Sequence, residues 1–271
     1  MEAFFENLPG GLNTITGGGT RTAIKLSRPW QPPLPINPEK CPFCTKPQEE
    51  IALPGSPEGW RLLPNIFTPH RRHRLIIPDT CWNTETLQYL GGSLKIGKAL
   101  EMTRLAIQED REEMATFIHV GQSAGQNLGH AHWHLMEVLV RKPLECPDVF
   151  GAERVVHVED KFMIVANGAH AGECLIAPRD ELSFDKDAIK ELASALEWIV
   201  NRGNKKFRST EGLPPEFTVS VRIGADGKFR YADYCPILNT WGACENVFAP
   251  LEGGPITLCW PHDLTATYLR E

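Results

Sequence analysis

The residues best equipped for chemistry stand in the stretch Gly125-Gln126-Asn127-Leu128-Gly129-His130-Ala131-His132-Trp133-His134-Leu135, where three histidines alternate with apolar or small residues. A period of two is the strand period, so an extended backbone turns all three imidazoles to one face. A helix would send His130 and His132 to different faces and waste the pattern. Along a strand His130 and His134 lie roughly 13 Å apart, too far to share one metal unless the strand bends, so each histidine is expected to have its own task. A half-buried strand that carries histidines by chance is the plain alternative. With nine histidines in 271 residues, three in alternation weigh against it.

Cys41-Pro42-Phe43-Cys44 is the second chemical signal. A Cys-x-x-Cys knuckle can aim two thiolates at one tetrahedral metal, although closed sites usually need four ligands. It could also be a redox pair, but no thioredoxin-like strand and helix surround it.

These groups must be positioned by regular elements. From Trp60 to Pro78 the pattern reads as two short strands around a polar turn, ending in Arg74-Leu75-Ile76-Ile77-Pro78, with Cys81 three residues on. A helical segment is expected from about Thr84 to Glu109, kinked or split at Gly91-Gly92. Residues 116–120 read as a strand, and the glycine-rich turn 121–129 feeds the histidine strand. The second half repeats the plan. Strands at 162–165 and 173–178 precede an amphipathic helix with Ile189, Leu192, Leu196, Ile199 and Val200 on one face and Gly203 as its C-cap. Strands at 217–223 and 229–238 follow. Where the first half has its histidines, the second has Tyr231-Ala232-Asp233-Tyr234-Cys235, so the site chemistry is absent from this copy. Residues 1–40 read as irregular, with Gly17-Gly18-Gly19 a flexible loop and prolines from Pro29 to Pro38.

The composition bounds the function. The chain is 42% hydrophobic and 23% charged with a net charge of −6, enough for one large domain or two smaller ones. Mild acidity argues against electrostatic binding of nucleic acid. No apolar run approaches membrane-spanning length, and the N-terminus lacks a signal-peptide core. Eight scattered cysteines do not form a disulfide framework, so a reducing cytoplasm is expected.

On Cys41-Pro42-Phe43-Cys44, Ile77-Pro78-Asp79-Thr80-Cys81 and the stretch from Gly125 to His134, in that order and spacing, the sequence resembles the histidine-triad (HIT) superfamily, and within it the two-lobed galactose-1-phosphate uridylyltransferase branch. The resemblance covers most of the chain from Cys41 onward. It implies an α+β fold of two tandem lobes, each an antiparallel sheet with a flanking helix. Residues 41–150 would form the catalytic lobe with a zinc site, and residues 151–271 a degenerate second lobe.

The resemblance also implies roles. The central histidine, His132, would attack the α-phosphorus of a nucleotide to give a nucleotidyl-histidine, splitting one hard displacement into two easier ones. Gln126, Asn127 and the backbone of Gly125 would bind phosphate oxygens, with Asn127 standing where the family has Ser or Thr. Cys41, Cys44, Cys81 and His130 would hold a zinc ion, Cys81 replacing a histidine; Cys₃His is a closed, structural set. Uridylyltransferases carry Gln at the third triad position, whereas hydrolase branches carry a histidine like His134. A second metal site of the uridylyltransferase second lobe is not expected, because Tyr231 and Asp233 replace its histidines.

The leading expectation is therefore an enzyme, a nucleotidyltransferase cleaving a nucleoside-diphosphate sugar or related phosphoanhydride through His132. The alternative is a hydrolase that passes the nucleotidyl group to water. A metallohydrolase with a catalytic metal on the histidines, and a non-catalytic nucleotide-binding protein, are further readings. A nucleotide or nucleotide-sugar partner and, by analogy, a homodimer are implied. His70, His73, His119 and His157 are expected at the surface or satisfied in the core.

Overall fold

A computed structural model of the chain describes residues 39, 41–45, 49–65, 72–81, 90, 92–110, 112–121, 124, 126, 128–137, 152–167, 172–207, 215–237, 266–267 and 269–270, with the backbone of three N-terminal strands. Those strands, β1 (Phe4–Leu8), β2 (Leu12–Gly17) and β3 (Thr20–Lys25), form an antiparallel meander. This corrects the irregular reading for the strand residues within 4–25; most of the proline-rich remainder of residues 1–40 lies outside the described residues. The β2–β3 ladder closes at Gly17↔Thr20. Thr14-Ile15-Thr16 and Thr20-Arg21-Thr22-Ala23-Ile24 supply the β-branched residues that a pleated ladder favours.

The main body is a ten-stranded sheet. Its first-half strands are β4 (Trp60–Pro64), β5 (Arg74–Pro78), β6 (Met114–Val120) and β7 (Trp133–Glu137). Its second-half strands are β8 (Val155–Val158), β9 (Phe162–Ala166), β10 (Cys174–Pro178), β11 (Leu182–Ser183), β12 (Glu216–Ile223) and β13 (Lys228–Ile237). The order is β4-β5-β7-β6-β12-β13-β10-β9-β8, with β11 paired to β13. Outward from the central β6–β12 pair, the first half runs β6, β7, β5, β4 and the second runs β12, β13, β10, β9. Each half also places its long helix between its strand pairs: α2 (Gly92–Asp110) and α3 (Lys186–Lys206), after the short α1 (Pro42–Thr45).

Alternation along these strands divides the sheet into two faces. Leu62, Ile76, Trp133, Leu135, Ile118, Val219, Val221 and Tyr234 join the buried faces of α2 and α3 in one core. Burying each such side chain contributes about 1.5–3 kcal/mol. The residues between them point to the other face. The ladders place Leu75, His134, Phe117, Ser220, Asp233, Leu175 and Val165 in one row there. Trp133 and Leu135 thus anchor β7 in the core while His134 faces away from the helices.

Local chemistry fixes the helices. Asp185, in extended conformation, caps α3 by accepting from Ala188 N at 2.9 Å, and Ile189, Leu192, Leu196, Ile199 and Val200 are all buried as their spacing requires. Glu197 on α3 accepts from Ser93 N at 3.0 Å and so caps the first turn of α2. One expectation is met only in part and one is corrected here. Helix α2 begins at Gly92, and the earlier stretch of the expected helix, residues 84–89 and 91, lies outside the described residues. Gly203 lies inside α3, which ends at Phe207; a Cβ on Gly203 would sit 2.1 Å from the Tyr234 hydroxyl, so the glycine serves close packing of helix on sheet. No helix among the described residues is long and apolar enough to cross a membrane.

Candidate functional site

The knuckle is built first. Cys44 N and Thr45 N both donate to Cys41 O, at 3.1 and 3.0 Å, which curls the two thiols to one side of α1. Phe43 buries its ring with Leu63, Leu75 and Ile77 and meets the His130 ring edge-on at 5.3 Å. Arg61 on β4 donates to Phe43 O at 2.8 Å and pairs with Asp79 at 2.9 Å, which ties the knuckle to the bend after β5 that carries Cys81. The four expected ligands, Cys41, Cys44, Cys81 and His130, converge with their donor atoms within 4.8 Å of one another.

The donor chemistry fits a tetrahedral cation. His130 Nε2 donates to Pro78 O at 2.9 Å, so Nδ1 is left with its lone pair toward the thiols, at 3.1 Å from Cys81, 3.4 Å from Cys41 and 3.5 Å from Cys44. Zinc bonds of about 2.0–2.3 Å imply donor separations of roughly 3.5 Å, close to these. Burial pushes the Cys81 thiol up, and its bonds to Cys44 and Cys41 push it further. Burial lowers His130 to about 4. The resistance of the Cys81 thiol to ionisation in isolation is what a divalent cation reverses, because the metal takes the thiolate and the neutral imidazole. The Cys44–Cys81 sulfur separation of 3.2 Å is no disulfide.

His130 differs from the expected single strand. The strand begins only at Trp133, and His130 lies in the preceding bend. That bend lets one imidazole turn to the thiols while His132 and His134 remain neighbours, their ring centroids 5.0 Å apart. The turn feeding the bend starts at Gly121, whose φ of +98° favours glycine. Gln126 spans this turn: its Oε1 accepts from Gly121 N at 2.8 Å and its Nε2 donates to Leu128 O at 2.9 Å. Gly125 and Asn127 lie outside the described residues, as does His70.

His132 is 7% exposed, and its Nδ1 donates to the His130 carbonyl at 2.8 Å. That bond fixes the tautomer and leaves Nε2 with a bare lone pair. Burial holds its pKa below the usual value, against the backbone bond that raises it, so the ring is neutral. Burial also holds His134 well below its usual value, reinforced by His132, His73 and His119.

Two histidines that sequence reasoning assigned to the surface or a satisfied core face this cluster. His73, just before β5, meets His134 with Nε2 to Nδ1 at 2.8 Å and has Asn65 Nδ2 at 3.3 Å from its Nε2. His119 on β6 lies with its ring 5.8 Å from His134, and its Nδ1 bonds Thr218 Oγ1 on β12 at 3.0 Å. Phe117 stacks on His134 with centroids 4.7 Å apart. No local signal in the sequence marks His73 or His119, because the strands that flank β7 are chosen by long-range pairing. His157 is elsewhere, stacked on Trp198 and bonded to Glu159 at 2.8 Å. In the second half, Tyr231 and Asp233 are buried on the same face as His134, and the Arg222 guanidinium lies 5.6 Å from the Tyr231 ring centroid. Among the described residues the group at Cys41, Cys44, Cys81 and His130 is the one cluster able to hold a metal.

No protein-family model matches the sequence. No curated protein matches it either. Solved structures do. A galactose-1-phosphate uridylyltransferase-like protein from Arabidopsis thaliana matches with a TM-score of 0.63 at 18% identity, covering 85% of this chain and 91% of its own. An ADP-glucose phosphorylase from Arabidopsis thaliana, determined with bound ADP-glucose, matches with a TM-score of 0.62 at 17% identity, covering 100% and 99%. A uridylyltransferase mutant matches with a TM-score of 0.58 at 14% identity, covering 86% and 93%. The chain has the fold of these structures.

Proposed function

We propose that the protein is a nucleotidyltransferase that cleaves a nucleoside-diphosphate sugar or a related phosphoanhydride through a nucleotidyl-His132 intermediate. The observation that carries this reading is the His132 ring: held neutral, pinned through Nδ1 to the His130 carbonyl, with Nε2 the nitrogen left to attack phosphorus. In the first step Nε2 bonds the α-phosphorus and the bond to the leaving phosphate oxygen breaks; in the second an acceptor oxygen displaces Nε2. The fold shared with an ADP-glucose phosphorylase and a uridylyltransferase supports this class of substrate.

The parts around His132 take matching roles in this reading. Cys41, Cys44, Cys81 and His130 hold a structural zinc that fixes the bend before β7; three thiolate ligands favour a reducing compartment such as the cytoplasm. Gln126 shapes the turn whose backbone, with Gly125 and Asn127, cradles the phosphates. Residues 41–150 form the catalytic lobe and 151–271 a degenerate copy, a division supported by the mirrored strand order about β6 and β12.

A second reading, release of the nucleotidyl group to water, is favoured by His134, whose bond to His73 gives the site an imidazole pair able to pass a proton. The test for both is a panel of nucleoside-diphosphate sugars and dinucleotides, with and without phosphate. Intact-mass measurement after a brief pulse should show a nucleotide adduct that His132→Gly abolishes. An adduct persisting in His132→Gly refutes the nucleophile. Product formation only with phosphate or sugar phosphate identifies a transferase, and formation without it a hydrolase.

A further inference from the structure

His119 is a buried imidazole for which the reading above has no use. It is 8% exposed, stands on β6 next to the histidine strand, and its ring neighbours are His134 at 5.8 Å and Phe117 at 5.2 Å. Extending the β6–β7 register two residues beyond Phe117↔His134 brings His119 opposite His132. Its one hydrogen bond among the described residues crosses to the second half of the chain, from Nδ1 to Thr218 Oγ1 at 3.0 Å, and Thr218 is itself buried. A ring whose Nδ1 is engaged in this way has only Nε2 left to act with, and here that nitrogen belongs to a side chain buried at the reacting face.

We propose that His119 is the proton acceptor of the second step for acceptors that carry a proton on the attacking oxygen, water or a hydroxyl group, and that Thr218 positions it from the second half of the sheet. The inference rests on the nucleotidyl-His132 reading. With Nδ1–H donating to Thr218 Oγ1, His119 Nε2 holds a lone pair. The acceptor oxygen bonds phosphorus, the phosphorus–Nε2 bond of His132 breaks, its electron pair returns to that nitrogen, and the acceptor's proton passes to His119 Nε2. Atoms and charge balance without a further reactant. A phosphate anion attacks through an oxygen that bears no proton, so that attack makes no use of His119. Burial, with a smaller contribution from His132, lowers His119 to about 3, so the ring is neutral before substrate binds; an anionic nucleotide beside it raises that value.

The test separates the two steps in the full-length protein. The His132 adduct is formed by a pulse of a nucleoside-diphosphate sugar, unbound nucleotide is removed, and adduct decay is followed by intact mass in buffer and in inorganic phosphate. Loss of a general base costs about 100-fold or more. His119→Asn, which keeps a partner for Thr218, should still form the adduct but slow its decay in buffer by that factor, while decay driven by phosphate changes far less. Thr218→Val should slow decay in buffer in the same direction, and Thr218→Ser should restore it. Nitrogen-15 correlation spectra of the histidine rings report the tautomer: Thr218→Val should disturb His119 and leave His132 as an Nδ1–H ring. Unchanged decay in His119→Asn overturns the proposal, as does an equal slowing in buffer and phosphate, which marks a packing effect. An unsubstituted protein that forms no adduct overturns the functional reading itself and this inference with it.

Discussion

Acidification should destabilise the protein by an amount that the buried histidines set. His119 has a folded pKa lowered to about 3 by burial, and His132 and His134 are lowered for the same first cause. An unfolded chain titrates its histidines near 6.5. Because the folded values lie lower, the unfolded chain binds protons that the folded one refuses. The stability each ring contributes is present above about pH 6.5 and is lost as pH falls from there toward the folded value. For His119, moving from about pH 7.5 to about pH 5 shifts the balance by RT times the logarithm of the unfolded protonation factor, about 2 kcal/mol. His119→Asn removes that titration, and the asparagine amide can still reach a hydroxyl partner. Urea denaturation at the two pH values should show the unsubstituted protein losing about 2 kcal/mol more than His119→Asn. Equal losses in the two proteins would refute the account, because they would mean that His119 is as free to protonate in the fold as in the open chain.

Two further outcomes follow from the packing. Cys81→Ser should release most of the bound zinc, read by elemental analysis, and lower the melting temperature by several degrees, since metal binding is coupled to folding; full zinc content with an unchanged melting temperature would remove Cys81 from the site. Gly203→Ala should destabilise by about 1–3 kcal/mol through overpacking against Tyr234, although alanine in a helix interior ordinarily stabilises by about 0.5–1 kcal/mol relative to glycine. A variant more stable than the parent in denaturant would show that the helix can step away from the sheet.

The sequence by itself determined the elements whose periodicity is strong and the ligands whose spacing is local. Ile189, Leu192, Leu196, Ile199 and Val200 marked α3, and Trp133 and Leu135, alternating with the histidines, marked a strand with one face in the core. Cys41 and Cys44 carry their geometry in a single turn of chain. By resemblance Cys81 and His130 joined them, and their convergence depends on Pro78 and Arg61 holding the bend. Other features were decided by tertiary structure alone. A glycine inside a helix looks like a cap until Tyr234 arrives from a strand distant in sequence. A period of two through His130 cannot reveal that the strand starts at Trp133. His73 and His119 carry no local pattern that separates them from surface histidines. They become part of the cluster because β5 and β6 flank β7 in the sheet, and strand neighbours are set by long-range pairing that no short window of sequence contains. The same pairing brings Thr218, distant along the chain, onto His119, so the contribution of the second half to the site belongs to the sheet and not to any motif.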